Sequence, residues 1–404
     1  MVLNIMPDIN DIIDAAARIA PFVHRTPLIH SRSFSLMTGA DVYIKAENLQ
    51  KTGSFKVRGA CNVLSQTDEG KIIAASMGNH AQGIAYAAAL FGKSAEIVMP
   101  FSSSISKQEA VRSYGGNVVL HGETFGEALA FALAQKDRYF VHAFDDDGII
   151  SGQGTVGLEI VEDLRQVDSV LVPVGGGGLI SGVSLAVKTL LPRTEVIGVQ
   201  SVAARSAYGS FRDKRISDFP PSSTIADGIA VGRVGEKTFG YIRQYVDDIV
   251  LVDDESISMA VLLFMERTKL VVEGAGAVAA AALLSDKERF KGRKVALVAS
   301  GGNIDSNLMD RIIHKGLLKS GRIGIFSVDV EDLPGRLNVL TGIIAARRGN
   351  ILDVFHDRFD LALPIGKTKV VFTVETRGKE HLEEILSALV AADFTVWKQD
   401  GQKK

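Results

Sequence analysis

One lysine of the 404-residue chain stands in a setting suited to covalent chemistry. Lys56, in "KTGSFKVRGA" (51–60), lies between Phe55 and a cationic, glycine-bearing stretch, directly after a strand-like run. An amine so placed is either a solvated charge or a nucleophile that condenses with a carbonyl. Three glycine-rich loops bear on the choice: "SMGNHAQG" (76–83) after "KIIAA", "GGGG" (175–178) after "VLVPV", and "SGGN" (300–303) after "VALVA". Each alone reads equally well as a tight turn. Together, each at the end of an apolar strand, they mark the place where open α/β sheets bind ligands. Gly175, Gly176, Gly177 and Gly178 precede a helix expected to start near Leu179. Bare backbone N–H groups at a positive helix end make a cradle for phosphate.

Several phosphate compounds are disfavoured by the residues present. The dinucleotide pattern G-x-G-x-x-G fails, because its third glycine falls on Ile180 or Ser181, and "EVIGVQ" (195–200) ends in Gln200 where a ribose-binding acid is expected. The spacing from Gly78 to Gly83 is followed by Ile84 and Ala85, not by the Lys and Ser/Thr of a P-loop. A single cysteine, Cys61, and scattered histidines lack zinc spacing, and no G-x-S-x-G elbow occurs. Pyridoxal phosphate fits better, since it needs a lysine, a neutral phosphate cradle and a partner for its ring nitrogen. Lys56, the 175–178 glycines and Ser300 supply these.

The elements that must position these residues follow from hydrophobic patterning. Strands are expected at 41–46, 71–76, 95–99, 117–121, 139–144, 168–174, 195–200 and 294–300, with helices at 79–91, 104–114, 123–136, 151–166 and 179–190. Near-continuous apolar strands alternating with helices predict parallel sheets covered on both faces, an α/β fold. The segment "LVVEGAGAVAAAALL" (270–284) is too short to span a bilayer and carries Glu273, so it reads as a buried core helix. After about residue 320 the order becomes βαββαβ, a ferredoxin-like module ending in "FTVWKQ" (394–399). The composition is 46% hydrophobic and 23% charged with net charge −2, which argues against nucleic-acid and membrane-surface partners. One cysteine, and an N-terminal "MVLNIMPDIN" without basic or apolar blocks, predict a cytoplasmic protein.

"SFKVRGA", "SMGNHAQG", "GGGGL" and "SGGN", in this order, resemble the signatures of fold-type II pyridoxal-phosphate enzymes, in the threonine dehydratase and serine racemase branch. The resemblance covers about residues 5–320 and implies a tryptophan synthase β-like catalytic domain (1–320), with a smaller subdomain of about 46–145 inserted in a larger one. Residues 323–404, with "VEDLPGRLNVL", resemble an ACT regulatory domain. The resemblance implies that Lys56 is the Schiff-base lysine, that Phe55 lies against the cofactor ring, and that Asn79 bonds its 3′-oxygen. The backbone of Gly175, Gly176, Gly177, Gly178 and Leu179 would hold the phosphate, and Ser300 would face the ring nitrogen. Ser54 and the loop Ser76, Met77, Gly78, Asn79 and His80 would hold the substrate carboxylate. A serine cannot keep a proton on the ring nitrogen as an aspartate would, which suits elimination better than transamination.

Met77 replaces the second serine with which the racemase branch acts from the opposite face, and "QSVAARS" (200–206) offers no carboxylate for a metal, so no metal is expected. Arg58 reads as a packing and pairing residue, His80 as a helix-start residue, and Glu273 as either a pocket residue or an ordinary acid of a first helical turn. The expected activity is conversion of L-threonine to 2-oxobutanoate and ammonia, with slower action on L-serine. The alternatives are an L-serine or 3-hydroxyaspartate dehydratase and, from another class, a catalytically silent amino-acid sensor. The expected partners are an amino-acid substrate, an amino-acid effector (isoleucine or valine, from the family's pathway) near Gly335, Asn350 and Ile351, and further copies in a homodimer or homotetramer.

Overall fold

Runs of valine, isoleucine and alanine become the strands, because branched and small side chains suit a pleat buried on both faces. The computed structural model describes residues 6–359 and 362–398 and divides into two compact units, Met1–Asp305 and Ser306–Lys404. In the first unit the strands are β1 (Leu28–His30), β2 (Asp41–Ala46), β3 (Lys71–Ala75), β4 (Ser94–Met99), β5 (Asn117–Leu120), β6 (Tyr139–Phe140), β7 (Ser169–Pro173), β8 (Glu195–Ser201), β9 (Asp248–Val252) and β10 (Lys294–Ala299). A six-stranded sheet has the order β1-β2-β10-β7-β8-β9, parallel except where β1 runs against β2. A four-stranded parallel sheet, β5-β4-β3-β6, is built from the chain between β2 and β7, so one lobe is inserted into the other.

Two departures from the sequence reading have local causes. β6 stops after two residues, although "YFVHAF" alternates like a longer strand. The ring of His142 explains it: Nδ1 accepts from the backbone N–H groups of Phe144 (3.2 Å) and Asp145 (2.8 Å), which turns the chain out of the sheet. β1 and β9 close the larger sheet at its two edges and are absent from the strands expected on patterning.

Helices cover both lobes, and glycines let three of them approach closely. Helix Lys56–Leu64 crosses helix Asp147–Asp163 with its backbone so near that a Cβ on Gly152 would lie 2.6 Å from the Gly59 Cα. Helix Asn79–Leu90 meets the same segment at Gly83, where a Cβ would lie 3.2 Å from the Lys56 carbonyl carbon. Arg58, fully buried, pairs with Glu47 and Glu159 at 2.7 Å each, and Lys45 joins the cluster through Glu159. The guanidinium therefore pins the Lys56 helix to the short turn Glu47–Leu49 and to helix Asp147–Asp163. Removing one partner of such a cluster costs about 3–5 kcal/mol, because the others remain buried and uncompensated. Helix Gly274–Ser285 is buried from Gly274 to Leu283, the core helix expected there.

The second unit opens with helix Ser306–Lys319 and continues as β11 (Ile323–Glu331), helix Arg336–Ala346, β12 (Asn350–Asp357), β13 (Lys367–Glu375), helix Lys379–Ala391 and β14 (Thr395–Lys398). Its antiparallel sheet has the order β12-β13-β11-β14, the ferredoxin-like arrangement. In β11 every second residue is buried, and Phe326, Val328 and Val330 meet Leu340, Ile344, Ile385 and Leu389. Gln399 of the last expected strand, and the first five residues of the N-terminal segment, lie outside the described residues. Among the described residues no helix is long and apolar enough to cross a membrane.

Candidate active site

The site forms where the chain after β10 pairs with the chain before the Lys56 helix. Ser54 and Gly301 form an antiparallel bridge, the Phe55 N–H donates to the Ser300 carbonyl (3.1 Å), and the Gly302 N–H donates to that of Gly53 (2.9 Å). Lys56 and Ser300, 244 positions apart in the chain, are thus locked side by side by backbone hydrogen bonds. The Lys56 Nζ donates to the Ala143 carbonyl at 2.7 Å and lies 5.2 Å from the centre of the Phe55 ring. No carboxylate forms a salt bridge with this amine among the described residues. Burial pushes its pKa down to about 8, so about a tenth of it is neutral and nucleophilic at pH 7, far more than for an ordinary lysine.

The glycine loop follows β7 and enters helix Gly178–Leu190 through Gly177, whose φ of +103° favours glycine. Its surroundings leave no room for side chains. A Cβ on Gly176 would strike the Phe144 ring, one on Gly177 would lie 2.8 Å from Thr238, and one on Gly178 3.0 Å from the Phe144 Cβ. Gly175 is less crowded, with Ile229 Cα at 3.2 Å. Leu179 is buried in the core beneath the loop. Phe144 follows Ala143, so one turn both holds the lysine and packs the cradle. Asp145 completes that turn by accepting from the Glu236, Lys237 and Thr238 N–H groups, and the Thr238 hydroxyl donates to the Gly176 carbonyl at 2.7 Å.

Asn79 begins helix Asn79–Leu90 and lies between two partners: its Nδ2 donates to Glu273 Oε1 (2.7 Å), and its Oδ1 accepts from Asn303 Nδ2 (2.7 Å). His80 points into the lobe, its Nε2 3.1 Å from the Val141 carbonyl. Burial and the neighbouring Lys56 charge push its pKa down to about 3, which keeps the ring neutral. Ser76, Met77 and Gly78 are half-buried in the loop ahead of that helix, with the Ser76 hydroxyl accepting from the Gly78 N–H at 3.3 Å. The Ser54 hydroxyl is buried and finds no partner among the described residues.

The residues fit pyridoxal phosphate. A lysine of lowered pKa, a glycine cradle closed to any side chain, a buried serine at the end of β10 and an unsatisfied hydroxyl beside the lysine are what a phosphorylated aldehyde cofactor and its amino-acid substrate require. The family described as pyridoxal-phosphate dependent enzymes matches residues 19–301. The chain belongs to that family. An L-threonine ammonia-lyase of Thermotoga maritima is 48% identical over 398 residues, 97% of this chain and 99% of the relative. Among solved structures, maize serine racemase (36% identical, TM-score 0.73) covers 78% of this chain and 98% of its own. The processed form of threonine deaminase isoform 2 from Solanum lycopersicum (36% identical, TM-score 0.72) covers 76% of this chain and 94% of its own. As a member of this family the chain is a pyridoxal-phosphate-dependent lyase with the fold-type II architecture.

Two members of the constellation escape a reading of the sequence alone. Glu273 has two possible roles there and Asn303 is only the end of a loop motif, yet both grip Asn79. The signal for Glu273 is a lone acid inside an otherwise apolar 15-residue run. The regulatory candidates behave differently. Gly335 caps helix Arg336–Ala346 just beyond the end of β11, while Asn350 and Ile351 begin β12 and pair with Glu375 and Val374, opposite the start of β11. They lie at opposite ends of the sheet, about 27 Å apart along the strand direction, so one copy does not bring them together. Among the described residues no cluster of His, Cys, Asp or Glu could hold a metal ion.

Proposed function

We propose that this enzyme converts L-threonine to 2-oxobutanoate and ammonia by eliminating water across Cα–Cβ, and acts more slowly on L-serine. The observation that carries the reading is the half-buried Lys56 amine, whose one hydrogen bond among the described residues is to a carbonyl, next to a cradle that admits only backbone. The threonine-specific names of the relatives support the choice of substrate. Pyridoxal phosphate supplies, when bound, a sink for the electron pair left on Cα.

The chain's own residues do the rest. The backbone N–H groups of the 175–178 loop and the N-terminus of helix Gly178–Leu190 would hold the phosphate, with Phe144 and Thr238 keeping the loop in shape. Asn79 would hold the ring oxygen and Ser300 the ring nitrogen. The Ser54 hydroxyl and the 76–80 loop would bind the substrate carboxylate. Lys56 takes the α-proton as general base, favoured by its lowered pKa. Met77 offers no proton on the other face, which supports elimination over racemisation. An ammonia-release assay on L-threonine, L-serine and 3-hydroxyaspartate, with chiral chromatography of recovered serine, tests the reading. Threonine should be fastest and D-serine negligible; D-serine accumulating at a rate near elimination overturns the role of Met77.

The second unit we read as an ACT-type module in which an amino acid binds between copies in a dimer or tetramer. The separation of Gly335 from Asn350 within one copy supports a site shared with another. Such an effector acts only through its differential affinity for two arrangements, typically ~1–3 kcal/mol. Threonine kinetics with and without isoleucine or valine, on the full chain and on one ending at Asp305, test this. An unchanged response in both rules the regulatory role out.

A further inference from the structure

An amide side chain has two ends that differ chemically, and at Asn79 the surroundings decide which end faces where. Asn303 Nδ2 donates to the Thr52 carbonyl at 2.8 Å, and a carbonyl can only accept. That fixes the Asn303 nitrogen towards the site, and its second hydrogen meets the Asn79 oxygen. The Asn79 nitrogen must then face Glu273, whose Oε1 accepts at 2.7 Å. The chain of hydrogen bonds is therefore anchored at one end by the Thr52 carbonyl, which can only accept, and ends at Glu273 Oε1, which accepts from Asn79. One amide hydrogen of Asn79 is left for a ligand.

Glu273 is itself tightly placed. It is 6% exposed, its N–H donates to the Gly301 carbonyl at 3.0 Å, and a Cβ on Gly301 would run into its Oε1. The carboxyl thus lies against the same loop that carries Ser300. It has no salt-bridge partner among the described residues, since nearby Lys107 pairs with Asp227 at 2.7 Å. A carboxyl buried without a cation is costly, and the side-chain hydrogen bond it makes among the described residues is to a residue of the site.

We propose that Glu273 is a positioning residue of the cofactor site: through Asn79 it fixes which amide hydrogen is presented to the cofactor's ring oxygen, and its charge state sets how firmly that amide is held. The proposal rests on the reading that Asn79 faces the cofactor. Burial, followed by the Asp227 charge, pushes the Glu273 carboxyl up to about 7, while the Asn79 hydrogen bond and Lys107 pull the other way. These are the charged and polar groups that bear on it. Above that pH the Asn79–Glu273 bond is charge-assisted and strong; below it the bond is between neutral groups and weaker.

The test is the visible absorbance of the bound cofactor in the full-length holoenzyme, recorded from pH 5.5 to 8.5, for the wild type, Glu273→Gln and Asn79→Ala. Gln keeps an acceptor oxygen and the shape of the side chain but cannot titrate. The expected result is a spectral step within about a unit of pH 7 in the wild type that is absent from both variants. Cofactor retention on dialysis at pH 8.5 should be lower in Glu273→Gln than in the wild type, and lower again, by at least tenfold, in Asn79→Ala. A step that survives in Glu273→Gln overturns the proposal, and so does one that is lost there but survives in Asn79→Ala, since Glu273 would then act directly. A wild-type chain that binds cofactor but shows no step overturns the proposal alone, whereas one that binds none overturns the reading of the site as well.

Discussion

The 175–178 loop and the turn at Gly335 are both glycine-marked passages from a strand into a helix, and both have a glycine at positive φ. They use the missing side chain in opposite ways. Around the first, Phe144, Thr238 and Ile229 have closed in until a methyl group would collide. Around the second, nothing lies within 4 Å of where a Cβ would be. In the catalytic unit glycine is demanded by what packs against it, and on the proposed reading by a phosphate that would approach the backbone. In the second unit, within one copy, the bend demands it and the space beside it stays open, as an effector shared with another copy would need.

The sharpest test of this contrast lies where the cradle's packing turn meets the lysine. On the proposed roles of Lys56, Lys56→Ala removes the general base and the point of cofactor attachment together, so ammonia release from threonine should fall by at least ~10²–10⁴-fold, with loss of the bound cofactor's visible absorbance. Unaltered absorbance would place the attachment on another lysine. Next in size is Gly176→Ala, whose methyl must displace the Phe144 ring. Thermal unfolding should show about 1–3 kcal/mol of overpacking, together with weakened cofactor retention. A variant that melts and binds like the wild type would break the comparison at its first term.

A third expectation concerns pH. The buried Lys56 has its pKa lowered to about 8 from the ordinary 10.5, so the folded chain holds this proton less tightly than the unfolded one. The penalty for burying the charge is fully present below about pH 8 and is relieved as pH rises towards 10.5. In the cofactor-free protein this lysine should therefore add stability across that window, and the rate of cofactor uptake should climb with pH and level off above about 8. Lys56→Met should abolish the stability increment, which denaturant melts at a series of pH values would reveal. The smallest effect belongs to the open turn. Gly335→Asn should cost only a few tenths of a kcal/mol, because asparagine tolerates positive φ, and basal threonine turnover should not change. A large loss of stability there would show that the turn is as crowded as the cradle.

Much of the catalytic unit is legible in the sequence because its chemistry is written in contiguous motifs. Lys56, the three glycine loops and the parallel strands each announce themselves within ten residues or fewer. What stays hidden depends on partners far away in the chain. Arg58 can be read as a pairing residue, but its acids, Glu47 and Glu159, lie on either side of it in sequence and meet only in the fold. Glu273 and Asn79 are 194 positions apart, so nothing local says which of two roles the acid takes. The short β6 reads as a longer strand because a histidine ring competes with the sheet for backbone N–H groups, and alternation of apolar residues does not register that competition. In the second unit the βαββαβ order is plain, whereas the opposite placement of Gly335 and Asn350 emerges only from strand register.

The insertion of the smaller lobe between β2 and β7 has a mechanical side. The chain passes between lobes twice, once on the way from β2 into β3 and once on the way from β6 towards β7. Lys56 rides on the first passage and its carbonyl partner, Ala143, on the second. The amine therefore sits where the two crossings touch, as the pin sits in a pair of tongs. Lys107, on helix Ile105–Ser113 of the inserted lobe, also reaches across to Asp227 of the larger one at 2.7 Å. Any displacement of one crossing against the other would be felt at the Lys56–Ala143 hydrogen bond, which ties the two together.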